Sequence, residues 1–269
     1  MAGNDAVFAG SIPALYDRHL GPFLFEPYAE HVARRMANLK SGALLETAAG
    51  TGIVTQALGR HLPANVRLVA TDLNQAMLDF ANAKPGMARA ELRQADATSL
   101  PFDAGSFDAV VCQFGVMFFP DRVAGYREAR RVLRAGGRAC FSIWDSLAHN
   151  AIPRCVNDAM ARHFPADPPR FLARTPHGHH DQATIRRELA QAGFERVAIE
   201  TATLPSRAAS HRDPATGFCQ GSPMRAEIEA HSPQGLPAAT EAAAAALAAE
   251  FGSGPIEASM QALIVVAEK

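Results

Sequence analysis

Residues 43–55 constrain the fold of this chain most, because they read as a buried strand, a glycine turn and a helix in succession. The apolar strand ends at Glu46, a turn of small residues follows, and apolar residues then return at helical spacing. Gly50 and Gly52 lack a Cβ atom, so the backbone can take positive φ there and a ligand can approach the first N–H groups of the helix. The pattern predicts a nucleotide-type pocket, although a glycine-rich βα loop without a ligand gives the same local signal.

The residues around this turn argue against a dinucleotide as the ligand. In the dinucleotide fingerprint the third small residue would fall on Thr55, and the carboxylate of Glu46 would face an anionic pyrophosphate. A carboxylate at the strand end favours a ligand that carries positive charge instead. The common nucleoside cofactor with an ammonium and a sulfonium group is S-adenosylmethionine.

The same stretch, E-T-A-A-G-T-G, resembles motif I of the class I S-adenosylmethionine-dependent methyltransferases, whose pattern is acidic-x-Gly-x-Gly-x-Gly. The resemblance implies that Glu46, Ala48, Gly50 and Gly52 surround the cofactor. The chain departs from the motif at Ala48, which stands where the first glycine usually is. We expect φ to be negative at Ala48, so that only the two later positions need glycine.

A second strand, V-R-L-V-A-T-D, places Asp72 at its carboxyl end, where a carboxylate can accept both hydroxyl groups of a ribose. Leu73 and Met77 follow it and are predicted to contact the cofactor as well. Asp72 could instead cap the helix that comes next. Asn74 is also able to serve as that cap, which would leave Asp72 to the ribose.

Two further strand ends carry candidate contacts. The segment A-D-A-T-S-L-P-F resembles the adenine-binding stretch of the family, in which Asp96 accepts from the exocyclic amine and the next backbone N–H, that of Ala97, donates to the ring. A surface-turn aspartate is the alternative for Asp96. The fourth strand runs into Gln113 and Phe114, which lie where the resemblance implies that the methyl group is presented.

An amino-terminal segment rich in aromatic residues and proline precedes this core. In related methyltransferases a Tyr-Asp pair in such a segment lies over the cofactor, and Tyr16-Asp17 looks like that pair. We therefore predict Tyr16 as a contact. Aromatic residues that only seal the edge of a sheet are the alternative.

The resemblance covers about residues 44–144 and implies an α/β, doubly wound, seven-stranded and mostly parallel sheet of the Rossmann-like methyltransferase fold. Its last strand, near 262–267, is then antiparallel, and a helical cap completes the chain. The chain also has two long connections outside this sheet, 146–180 and 205–254, and connections of this length usually carry function. The predicted organisation is an amino-terminal helical lid (1–40), a cofactor-binding core (41–145, 181–204 and 255–269) and substrate-cap insertions (146–180 and 205–254).

Methyl transfer requires alignment of the nucleophile, exclusion of water and, for some acceptors, a base. The segment T-P-H-G-H-H-D at 175–181 is the richest in basic side chains that titrate near neutrality. We predict His177 as the base, with His149 and His231 as the next candidates. No metal site is predicted, because adjacent loop histidines lack a defined ligand geometry.

Composition limits the partners. A formal net charge of -1 gives no sign of a basic face, so nucleic acid is not predicted as a partner. Four cysteines without a C-x-x-C pair suggest reduced thiols. The chain shows no leader sequence and no membrane span, so a cytoplasmic location is expected, and a homodimer remains open.

These patterns together predict an enzyme that transfers a methyl group from S-adenosylmethionine to a small acceptor. The motifs resemble the branch that includes ubiquinone and menaquinone methyltransferases, which implies an aromatic or heterocyclic acceptor but does not separate oxygen, nitrogen and carbon. Six apolar residues in segments outside the sheet favour a planar acceptor over a sugar or an amino acid: Phe23, Phe25, Phe164, Phe171, Phe218 and Met224. The alternatives are an NAD-type oxidoreductase and an S-adenosylmethionine-binding protein without turnover.

Overall fold

A seven-stranded sheet organises the part of the chain that the computed structural model describes, residues 5, 6, 8, 10–232 and 234–269. The other residues (1–4, 7, 9 and 233), which include part of the predicted lid, lie outside the described residues. The strands are β1 (Gly42–Thr47), β2 (Val66–Asp72), β3 (Ala90–Gln94), β4 (Phe107–Gln113), β5 (Leu133–Trp144), β6 (Arg196–Ala208) and β7 (Ile256–Glu268). Their order in the sheet is β3-β2-β1-β4-β5-β7-β6.

Helices fill the connections between these strands. They are α1 (Ile12–His19), α2 (Glu26–Met36), α3 (Ile53–His61), α4 (Gln75–Asn82), α5 (Arg122–Val132), α6 (Ala151–His163), α7 (Phe171–Arg174), α8 (Gln182–Gln191), α9 (Arg212–Gln220), α10 (Met224–His231) and α11 (Leu236–Phe251). A π-helical turn, Gly21–Phe25, joins α1 to α2. Residues 238–251 are rich in alanine, a composition that predicts a helix by propensity, and they lie within α11.

Strands β1 to β5 are parallel, and β7 pairs with β5 in the antiparallel direction. The predicted fold class is confirmed, including the antiparallel last strand. Central strands of a parallel sheet are buried on both faces, and Leu44, Leu45 and Val110 are accordingly fully buried. The strand order reverses between β1 and β4, and ligands of open α/β sheets bind outside the carboxyl ends of strands at such a point.

The turn after α5 differs from the sequence prediction. The sequence R-A-G-G at 134–137 predicts a C-cap turn into the next strand, but α5 ends at Val132 and Leu133 is already extended. Gly136, at φ 76°, instead lies within an irregular stretch of β5, where the register against β4 shifts between Phe107 and Ala109. The extra residues are accommodated as a bulge rather than as a helix cap.

The chain divides into two compact units. The first, here called the sheet unit, comprises residues 28–144, 179–202 and 262–269. The second, the helical unit, comprises residues 1–27, 145–178 and 203–261, and in it α11 packs on α6 and α9. No helix within the described ranges is both long and apolar enough to cross a bilayer.

Candidate active site

Residues 46–52, which comprise the last two residues of β1 and the turn that leads into α3, are called the cofactor loop here. Gly50 and Gly52 have φ of 55° and 78°, in the left-handed region that favours glycine, as the sequence predicts. The amide of Ala49 donates to the carbonyl of Thr71, at the end of the neighbouring strand β2, over 2.9 Å. The loop is therefore fixed to the sheet at the carboxyl end of β1.

Ala48 contradicts its prediction, because its φ is 54° and not negative. A left-handed alanine carries a backbone strain of about 1–2 kcal/mol. The conformation is matched by Gly115 on the loop after β4, since a Cβ atom at Gly115 would collide with the Cβ atom of Ala48. The family motif has glycine at the position of Ala48. Here alanine takes that position, and the residue that faces its methyl group, Gly115, has no side chain.

Glu46 is buried, with 1% of its surface exposed, and it accepts a 2.6 Å hydrogen bond from the hydroxyl of Thr55. Burial raises the pKa of Glu46 to about 8, the bond from Thr55 opposes this, and the carboxylate of Asp72 adds to it. The carboxyl group therefore holds its proton near neutrality. A cation beside it would favour the ionised form and lower that pKa.

Asp72 is 7% exposed and uses both carboxylate oxygens. Its Oδ2 accepts from the Gly50 amide and its Oδ1 from the Asn74 amide, each over 2.8 Å. Burial raises the pKa of Asp72, and the bonds from Asn74 and Gly50 oppose that effect. The expected division of roles with Asn74 is wrong, because Asn74 occupies the N-cap of α4 without a side-chain cap bond and donates its amide to Asp72.

The residues after Asp72 differ sharply in exposure. Leu73 is 52% exposed and stands out as the exposed large apolar side chain within the described ranges. Met77 is buried, and its Cε atom lies 3.8 Å from the place where a Cβ atom of Gly50 would be. Leu73 thus offers an apolar surface at the end of β2, whereas Met77 packs against the cofactor loop at Gly50.

Asp96 is exposed, and its Oδ1 accepts from the amide and the hydroxyl of Thr98 over 2.8 and 2.7 Å. This local turn does not distinguish the adenine role from the surface-turn alternative, so the assignment of Asp96 and Ala97 stays a prediction. The Ala95 amide donates to the carbonyl of Asp72 over 3.0 Å, which places this segment beside the end of β2.

Gln113 ends β4, and Phe114 follows it beside the cofactor loop. Phe114 is a second non-glycine residue in the left-handed region, at φ 55°. Its ring stacks on that of Trp144 with 3.6 Å between centroids and 5° between planes, and Tyr28 packs edge-on against both rings. Strained backbone of this kind clusters at functional sites.

No sequence pattern predicted Trp144, Tyr28 or Gly115 as members of this region. Trp144 ends β5, the strand next to β4, so the parallel order of the sheet was a signal that could have placed it beside Phe114. Tyr28 lies on α2 and Gly115 follows Phe114 in the chain, and no motif marks either residue.

Comparison with known proteins decides the family. Residues 45–141 match the family described as methyltransferase domain. The ubiquinone/menaquinone biosynthesis C-methyltransferase UbiE of Idiomarina loihiensis is 29% identical over 60% of this chain and 69% of its own length. The Escherichia coli UbiE is 31% identical over 57% and 66%, respectively. The chain thus spans about two thirds of the length of these relatives.

The chain belongs to the class I S-adenosylmethionine-dependent methyltransferases. Among solved structures, Haemonchus contortus phosphoethanolamine N-methyltransferase 2 in complex with S-adenosyl-L-methionine has the same fold, with a TM-score of 0.59 and 14% identity over 96% of this chain and 56% of that one. The matched methyltransferase domain and the UbiE relatives show that the chain is an enzyme whose cofactor is S-adenosylmethionine, and not an NAD-type oxidoreductase. The buried acid Glu46 and the glycine turn suit a cofactor with positive charge, which agrees with that assignment.

The candidate base of the methyltransferase, His177, lies in the helical unit and is 5% exposed. Its Nδ1 is 2.7 Å from the carbonyl oxygen of Asp145, and a carbonyl can only accept, so Nδ1 carries the proton. In the neutral ring the lone pair is then on Nε2. This tautomer suits a base, and the role of His177 stays a prediction.

The other candidate histidines have different surroundings in the helical unit. His149 is exposed and shares a 3.1 Å hydrogen bond with the hydroxyl of Ser146. His231 stacks on Phe164 with 4.9 Å between centroids. Tyr16, the predicted lid contact, stacks on Phe25 with 4.7 Å between centroids, and its contact with the cofactor stays a prediction.

The apolar residues that favoured a planar acceptor are mostly interior. Phe23 packs edge-on against Phe218 at 6.2 Å, and five of the six named residues, all except Phe164, are buried. Their apolar character is explained by packing within the helical unit. These residues therefore do not define the chemical class of the methyl acceptor.

The histidine cluster of 175–181 is split in the structure. His180 is exposed, whereas His179 is buried in the sheet unit with its Nε2 3.3 Å from Glu188, which pairs with Arg122. Burial lowers the pKa of His179 to about 4, and Arg122 contributes to that shift. This network joins α5 to α8 and gives His179 a structural position that the sequence did not indicate.

Proposed function

We propose that this methyltransferase acts on a small hydroxylated aromatic or heteroaromatic molecule, with His177 as the base. The relatives are named as C-methyltransferases of quinone biosynthesis, which supports an electron-rich ring as the acceptor. The observation that carries the proposal is the hydrogen bond from Nδ1 of His177 to the Asp145 carbonyl, which fixes the tautomer and so places the basic lone pair of the neutral ring on Nε2.

In this proposal Glu46 and Asp72 hold the cofactor. The Glu46 carboxylate balances its positive charge, and Asp72 accepts from the ribose hydroxyls while it keeps the Gly50 amide in place. Gly50 and Gly52 let the backbone approach, Leu73 and Ala97 cover the adenine together with Asp96, and Gln113 and Phe114 border the methyl group. Tyr16 is kept as a predicted cofactor contact.

When bound, S-adenosylmethionine supplies an electrophilic methyl group and leaves as S-adenosylhomocysteine. The acceptor hydroxyl gives its proton to Nε2 of His177, and the resulting phenolate is the nucleophile through its oxygen or through a ring carbon in conjugation with it. When a ring carbon is methylated, that carbon afterwards loses its proton to solvent while His177 returns the hydroxyl proton to the oxygen, which restores the aromatic hydroxyl compound. The same base therefore serves O- and C-methylation, and an N-heterocyclic acceptor would need it less.

A screen with radiolabelled S-adenosylmethionine tests the acceptor class. Phenols, quinols and N-heterocycles are incubated with the enzyme, and the site of the methyl group is read from product mass. We expect label in hydroxylated rings. Label only in a protein or nucleic-acid fraction would contradict the small-molecule proposal.

The base is tested by the pH dependence of the same reaction. With a phenolic acceptor, kcat/KM should fall on acidification, and that fall should disappear in His177→Gln along with a loss of about 10²–10⁴-fold in kcat. His180→Gln, which changes an exposed histidine nearby in sequence, is the matched control and should keep the pH profile. If both variants keep the profile of the parent enzyme, His177 is not the base.

A further inference from the structure

Ala48 of the cofactor loop lies against Gly115 of the loop after β4, within the sheet unit. Gly115 has φ of -100° and ψ of -36°, a conformation open to any residue, so its backbone does not require glycine. The space does require it, because an added Cβ atom would collide with the Ala48 Cβ atom and would lie 2.8 Å from Sγ of Cys112.

The Ala48 methyl group cannot move aside by itself. A Cβ atom is fixed to its backbone, and this backbone is held before Ala48 by the pairing of Thr47 in β1 with β2, and after it by the bonds from the Ala49 amide to Thr71 and from the Gly50 amide to Asp72. Any group pushed into this contact must therefore displace the loop that carries Glu46. Packed contacts of this kind transmit displacement because protein interiors are close-packed.

Gly115 also follows Phe114 directly in the chain, so the two residues share a peptide bond. Phe114 is held by its left-handed backbone, by a 2.9 Å hydrogen bond from its amide to the Ser142 carbonyl, and by the stack on Trp144. A shift at Gly115 is thus passed to the aromatic pair at the carboxyl ends of β4 and β5.

We propose that the contact between Ala48 and Gly115 couples the cofactor loop to the Phe114–Trp144 stack, with Gly115 as a positioning residue. This inference rests on the proposed placement of the cofactor at residues 46–52. Binding at the cofactor loop then changes the arrangement of the stack, and the strained Ala48 is retained because its methyl group makes the contact. A glycine at position 48 would leave the two loops without it.

Trp144 provides the readout, because it is the single tryptophan of the chain. Saturation of the parent enzyme with S-adenosylhomocysteine should change its emission. In Ala48→Gly, also at saturation, the change should be smaller, since the coupling methyl group is absent. An unchanged Trp144 emission in the saturated parent, or an undiminished response in Ala48→Gly, would overturn the proposal even if Gly115 variants do not fold.

A double-mutant cycle tests the contact itself by calorimetry. Gly115→Ala should weaken S-adenosylhomocysteine binding about tenfold, which corresponds to about 1.4 kcal/mol and lies in the range for overpacking. Ala48→Gly in the same protein should recover most of that loss. A purely structural role for Gly115 would instead lower the melting temperature without this rescue of affinity.

Gly59→Ala is the matched control, because it adds a methyl group in α3 where nothing lies within 4 Å. It should bind like the parent. If Gly115→Ala binds like the parent, or if Ala48→Gly does not restore it, the coupling is contradicted. Failure of the parent itself to bind S-adenosylhomocysteine would contradict the proposed cofactor placement instead, so the two failures are distinct.

Discussion

The carboxylate of Asp72 accepts a 2.8 Å hydrogen bond from the backbone N–H of Gly50, which joins the end of β2 to the cofactor loop after β1. Asp72 therefore has two roles. It holds the cofactor loop through this bond, and it is the candidate hydrogen-bond acceptor for the ribose hydroxyls. Removal of the carboxylate should therefore affect the ligand and the loop together.

Asp72→Ala should weaken S-adenosylhomocysteine binding by about 1–3 kcal/mol, because a dry pocket would lose a charged hydrogen-bond acceptor. The protein should still fold. Calorimetric titration measures the affinity, and Asp79→Ala, which removes an exposed carboxylate of α4, is the matched control. An unchanged affinity with a lowered melting temperature would limit Asp72 to a structural role.

Glu46 should make cofactor binding depend on pH. With a pKa of about 8, raised by burial, the free protein holds a proton on Glu46 at neutral pH, and a cationic ligand must displace it. Affinity should rise between about pH 6 and pH 8, with proton release that calorimetry detects as a dependence on buffer ionisation enthalpy. Glu46→Gln should remove both effects. Equal proton release in this variant would show that another group titrates.

Gly52 should be more sensitive to substitution than a glycine with the same backbone in open space. Its φ is 78°, and an added Cβ atom would lie 2.8 Å from Cε of Met87. Gly86 has φ of 83° with nothing within 4 Å, so it isolates the cost of the backbone. Gly52→Ala should lose about 1–3 kcal/mol more unfolding free energy than Gly86→Ala in urea titrations. Equal losses would mean that Met87 moves aside freely.

His179 should contribute to loss of stability in acid. Its folded pKa of about 4 lies below the ordinary value of 6.5, so the unfolded chain binds the proton more readily between these values. The free energy of unfolding from this group should fall as pH drops from about 6.5 to 4, by about 1–3 kcal/mol. In His179→Gln, the free energy of unfolding should depend less on pH between 6.5 and about 4 than it does in the parent. A variant with the parent's pH slope would exclude His179 as the cause.

The sequence determined the fold well because its motifs mark strand ends. The strand before Glu46, the strand that ends at Asp72 and the antiparallel last strand all lie where residue patterns placed them. Patterns of this kind depend on local periodicity and on the geometry of a βαβ unit, which a single sequence contains.

Long-range packing was not predictable in the same way. The positive φ of Ala48 depends on Gly115, which lies on another loop, and no local rule allows for that contact. The burial of His177 and His179 within one short, polar-looking segment likewise depends on the elements that pack around each of them. Tertiary context decided these positions, and local propensity is a weak guide there.

S-adenosylmethionine should bind at the site around Glu46 and Asp72, and calorimetric titration of the parent enzyme measures that binding. S-adenosylhomocysteine should bind to one site per chain, NADH should give no binding heat, and Asp72→Ala should weaken the former. Binding of NADH without binding of S-adenosylhomocysteine, or an affinity for S-adenosylhomocysteine that is the same in Asp72→Ala and in Glu46→Gln as in the parent, would contradict the account.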